Sequence, residues 1–125
     1  MAIQGFSDND VEAILAFRPR FEQHINFTAT LPVLQAVQQL TIDFAAALQE
    51  RGFIELFDWD TFLASLGRPP EDPTLLATAD IETLKKIVTA HIRIERFVRG
   101  HLQALIAAGY FTAFLDRLQV LNTQN

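Results

Sequence analysis

A chain of 125 residues with a formal charge of −5 and no cysteine is long enough for one hydrophobic core and too short for two. Its acidic balance repels nucleic acid and anionic lipid, so any basic site must be local. The missing cysteines exclude disulfides, thiolate metal sites and cysteine nucleophiles. With 50% hydrophobic and 20% charged residues the chain reads as globular, and its high apolar share leans towards an interface between two copies. The opening MAIQGFSDND has neither the basic start nor the apolar run of a signal peptide. No stretch approaches the roughly 20 apolar residues of a membrane span. A cytoplasmic location is expected, with no membrane or nucleic-acid partner.

In chain order, Ser7 or Asp8 caps a first helix reaching about Phe17, which Pro19 then breaks for want of an N–H. FEQHINF adds one or two turns, with Phe21 and His24 on one face. The clearest helix begins after a cap at Thr30, with Pro32 at its second position, where a missing donor costs little. Val33, Leu34, Val37, Leu40, Phe44 and Leu48 recur at spacings of three and four, so they form one apolar stripe. Gly52 stops that helix. FIELFDW is extended chain without a second strand to pair with. Asp58 caps a short helix from Trp59 to Leu66, closed by Gly67. GRPPEDP is a loop, because the residue before each proline is pushed out of helical geometry. TLLATAD holds a single turn.

Asp80 caps the long helix predicted from Ile81 to about Arg99, with Gly100 as a point of kinking before HLQALIAAG. Phe111, Phe114, Leu115, Leu118 and Leu121 mark a final amphipathic helix. The sum is an all-α, single-domain irregular bundle of five to seven helices over residues 1–125.

The stretch HIRIERFVRGHL is the least ordinary, because polar groups interrupt an apolar helix. At roughly 100° per residue, His91 falls mid-way across the apolar side and Glu95 lies one turn along it. Both are expected to face inward. Either they form a satisfied polar network with a neighbouring helix, or they line a pocket between helices. His101 points away from His91 by roughly 80° on a continuous helix. With one His and one Glu at this spacing and no third ligand in pattern, no metal or cofactor is expected. Arg93, Arg96 and Arg99 fall on the opposite side with Lys85 and Lys86, against one acid, Glu95. This local basic face either pairs internally with Asp58, Asp60, Glu71 and Asp72, or binds an anion or an acidic partner surface. No phosphate-cradling glycine loop or nucleophile–base pair is present, so no catalytic residue is assigned.

The run from ADIETLKK to LDRLQVL, with FDW upstream, resembles a bacterial family of domains of unknown function, family 6508. The resemblance rests on a His-x-Arg-x-x-Arg-Phe-x-x-Gly-His-Leu core after a Phe-Asp-Trp element. The matching positions are His91, Arg93, Arg96, Phe97, Gly100, His101 and Leu102, with Phe57, Asp58 and Trp59. The match covers roughly residues 53–121 and leaves out the N-terminal half. It implies a helical domain and brings no activity. It also implies a clamp in which Asp58 pairs with Arg93 or Arg96 while Trp59 or Phe57 packs beside Phe97.

The reading is a soluble, dimeric protein that acts by binding and not by catalysis. Its site is His91, Arg93, Glu95, Arg96, Arg99 and His101, engaging an acidic protein partner or a small anionic ligand. The alternative is a small-molecule-binding protein or metal-dependent enzyme with a pocket around His91 and Glu95.

Overall fold

The computed structural model describes residues 6–123. Among them eight helical segments occur and no strand: α1 (Asp8–Leu15), α2 (Arg18–Glu22), α3 (Leu31–Glu50), α4 (Trp59–Ser65), α5 (Pro73–Thr78), α6 (Ile81–Ile94), α7 (His101–Ala107) and α8 (Tyr110–Thr123). The all-α, single-domain bundle expected from periodicity is the fold observed. Two of its segments, α2 and α5, are little more than one turn.

Local chemistry sets most of the boundaries. Ser7 and Asp10 form a reciprocal capping box, each side chain accepting the other's backbone N–H at 3.1 Å. α1 stops at Leu15, short of Phe17, and Pro19 lies at the start of α2, where proline is tolerated. At the end of α3, Phe53 donates its N–H to Leu48 and Gly52 donates to Gln49. Gly52 takes φ +81° to allow it, which only glycine does without strain. Asp58, Asp72 and Asp80 cap α4, α5 and α6 through the backbone N–H of Thr61, Thr74 and Thr83.

The extended segment after α3 has no strand partner, and a side chain serves instead. Buried Thr89 of α6 accepts the N–H of Glu55 at 3.2 Å and donates to the carbonyl of Phe53 at 3.3 Å. The backbone is thereby satisfied without a sheet.

The core is aromatic at its N-terminal side. Phe44 on α3 packs edge-on against Phe21 at 4.8 Å and against Phe111 at 5.3 Å, with Phe17 and Phe114 beside it. Of the predicted stripe, Val37, Leu40, Phe44 and Leu48 are buried, while Val33 and Leu34 in its first turn are half-buried. α3 differs from the sequence expectation in one respect. Its best 18-residue window has a mean hydropathy of 1.2, so by length and composition it is apolar enough to cross a membrane. In the fold, its apolar stripe belongs to the core while Gln35, Gln38, Gln39 and Gln49 face outward.

The largest departure is at the end of α6. The helix predicted to reach Arg99 ends at Ile94. Turns carry the chain through Val98, which is exposed where the helical projection had it buried. Gly100 then adopts φ +89°, a left-handed conformation that redirects the chain into α7.

Candidate functional site

That break is stabilised by Glu95. One carboxylate oxygen accepts the N–H of Gly100 at 3.0 Å and the other accepts the N–H of Leu102 at 2.8 Å. Gly100 has no side chain to cap α7, so an acid five residues earlier takes that role. This corrects the inward His91–Glu95 pair: Glu95 is half-buried and serves backbone donors of the next helix. Truncating it leaves two N–H groups without that acceptor. Glu95→Ala is expected to cost about 1–2 kcal/mol in urea unfolding, with Glu95→Gln in between. A loss indistinguishable from zero would mean that water replaces the carboxylate fully.

Because the chain turns at Gly100, His101 comes back onto His91 and does not point away from it. His91 is fully buried, and its Nδ1 lies 2.8 Å from Nε2 of His101. On its other side Nε2 lies 3.0 Å from the Tyr110 hydroxyl, which in turn donates to the carbonyl of Pro70 at 3.1 Å. Counting protons gives one consistent direction. Tyr110 donates to Pro70, His91 donates from Nε2 to Tyr110, and His101 donates from Nε2 to Nδ1 of His91. Every link then holds with all three side chains neutral.

The electrostatics agree with that assignment. Burial lowers the pKa of His91 from 6.5 to about 4, and the neighbouring His101 adds to the shift. Burial also lowers His101, opposed by the nearby charges of Glu71 and Glu95. Burial, followed by Glu71, pushes the Tyr110 hydroxyl up. The relay therefore fastens α6, α7, α8 and the proline loop together, and both ring nitrogens of His91 are engaged. Among the described residues no three His, Asp or Glu side chains gather as metal donors. Sequence reasoning missed Tyr110 and Pro70. Tyr110 reads there as one more apolar-face aromatic, and nothing local marks a contact 19 residues from His91.

Of the three arginines expected on the outer side, Arg96 and Arg99 are exposed and Arg93 is half-buried. Among the described residues Arg93, Arg96 and Arg99 form no ion pair. The internal pairing expected with Asp58, Asp60, Glu71 and Asp72 does not form. Asp58 accepts from the backbone and hydroxyl of Thr61, while Asp72 caps α5 and faces Arg68 at 4.0 Å. The other cations of the basic run are engaged. Lys85 pairs with Glu55 at 3.1 Å, and Lys86 sits over the rings of Phe57 and Phe62. The aromatic half of the clamp is present, with Trp59 and Phe97 rings 6.1 Å apart. Phe57 turns to Phe62 instead.

Two clefts flank Arg96. One, of about 320 Å³, is lined by Leu56, Trp59, Arg93, Arg96 and Phe97 among others, with one acid, Glu55, which pairs with Lys85. Leu56 is 100% exposed and Phe97 76%. The second, of about 640 Å³, lies between α3 and the α6–α7 turn and includes Gln38, Ile42, Arg96, Arg99 and Gln103.

No curated protein and no solved structure matches the chain. A family described as a family of unknown function, DUF6508, matches residues 6–124, a span that takes in the N-terminal half which the motif alone left out. The chain, with its buried histidine relay and open arginine face, belongs to the DUF6508 family.

Proposed function

We propose that this protein is a binding module whose contact face is the smaller cleft, and that its partner is an acidic protein segment carrying a bulky apolar side chain. One observation carries the reading: Arg93 and Arg96 stand without acidic partners beside exposed Leu56 and Phe97, in a chain whose net charge is −5. Arginine and aromatic side chains are the types that dominate protein interfaces. Guanidinium forks suit carboxylates, while Trp59 and Phe97, their rings tilted against each other, offer an apolar surface. Catalysis has less support, since His91 is buried with both ring nitrogens engaged and Glu95 serves the backbone.

The test uses synthetic peptides rich in Asp and Glu that carry one Phe or Leu, with binding mapped by amide NMR shifts. Shifts are expected at Leu56, Trp59, Arg93 and Phe97, weakening with salt. Arg93→Glu with Arg96→Glu should lower affinity at least about tenfold, equivalent to roughly 1.4 kcal/mol. Binding that survives the double reversal would sink the proposal.

A further inference from the structure

The larger cleft differs from the first in chemistry, and different residues carry it. Its walls are the outer face of α3, with Gln38 and Ile42, and the α6–α7 turn, with Arg96 and Arg99; Gln103 of α7 closes it. Arg96 and Arg99 both line the cleft, and both are exposed. Among the described residues nothing negative pairs with either. The one acid in the cleft is Glu95, whose two oxygens already accept the N–H groups of Gly100 and Leu102. It is therefore turned to the backbone and not to the guanidinium groups. The amides of Gln38 and Gln103 add neutral donors on opposite walls. The Thr41 hydroxyl does not, because its hydrogen goes to the Gln38 carbonyl at 2.7 Å.

We infer that this cleft binds the phosphate group of a small organic phosphate monoester. Two unpaired guanidinium groups match a dianion, and their planar forks take phosphate oxygens two at a time. At about 640 Å³, within the range of about 300–1,000 Å³ typical of sites for organic ligands, the cleft has room for more than a phosphate group alone. Exposed Ile42 on the same wall gives the ester's carbon portion an apolar surface. The site shares Arg96 with the cleft of the proposed peptide contact, whereas Arg99 lines this cleft and Arg93 the other.

The probe is phenyl phosphate, titrated into the full chain at constant ionic strength and followed by backbone and side-chain NMR. Inorganic phosphate and sodium chloride serve as parallel arms. The expected result is saturable shifts at Gly100, Gln103 and the Gln38 side-chain amide. Arg99→Gln should weaken them about tenfold. Inorganic phosphate should bind the same residues more weakly. Shifts reproduced by sodium chloride, or retained in Arg96→Gln with Arg99→Gln, would overturn the inference. Equal affinity for inorganic phosphate would overturn the ester assignment. Circular dichroism of each variant checks that an altered titration is not a loss of fold.

Discussion

Acidification from pH 6.5 to 4 should remove roughly 3 kcal/mol of stability through His91 alone, a large share of a small domain's total. The sign follows from the direction of the shift. Burial holds the folded pKa of His91 below its unfolded value, so the unfolded chain takes up a proton first. The stabilisation is complete above pH 6.5, declines as pH falls, and is gone once the folded pKa of about 4 is passed. His101, also lowered by burial, acts in the same sense. Urea unfolding at a series of pH values measures the slope. In His91→Gln most of that slope should vanish. The baseline at neutral pH should fall by about 1–3 kcal/mol, because His101 and Tyr110 lose a partner in the interior. An unchanged slope in the variant would assign the acid sensitivity to other groups.

Phe44→Ala is expected to cost about 3–5 kcal/mol, the range for removing a phenylalanine from a packed interior. Phe44 is the ring at which α3 meets Phe17, Phe21, Phe111 and Phe114, so its removal opens a cavity bounded by four other rings. Those rings are held by the α2 region and by α8, at opposite ends of the chain, and cannot all move in to fill it. Phe44→Leu retains most of the volume and should lose less. A loss under about 1 kcal/mol for the alanine variant would mean that the hub collapses around the gap.

What the sequence made legible was chiefly local. Thr30, Asp58 and Asp80 stand where the chain enters its helices, and the α3 stripe is the face that is buried. Capping also explains one error. Asp58 and Asp72 are candidate partners for the arginines in the sequence, but each holds a backbone N–H at its own helix start and is not free to reach across.

The end of α6 was not legible, because apolar spacing continues through Val98 and Leu102 as though the helix did. Gly100 was the visible mark, but its effect depends on Glu95 folding forward over the turn. Once the helix is broken, projecting His101 from a straight axis fails, and the relay it joins with His91 and Tyr110 lies outside any periodic argument. Arg96 and Arg99 are exposed, but they lie in the turns after Ile94, so their exposure comes from the break and not from helical periodicity.

The Glu95 contact also bears on the order in which the chain assembles. It joins residues five and seven positions apart, so little loop entropy opposes its formation. The phenylalanine hub joins Phe21 to Phe111 across most of the chain and must wait for a far longer closure. A hairpin of α6 and α7 is therefore expected early in folding, with the N-terminal helices docking onto it late. Loss of the Glu95 carboxylate should accordingly slow folding, whereas loss of the Phe44 ring should chiefly hasten unfolding.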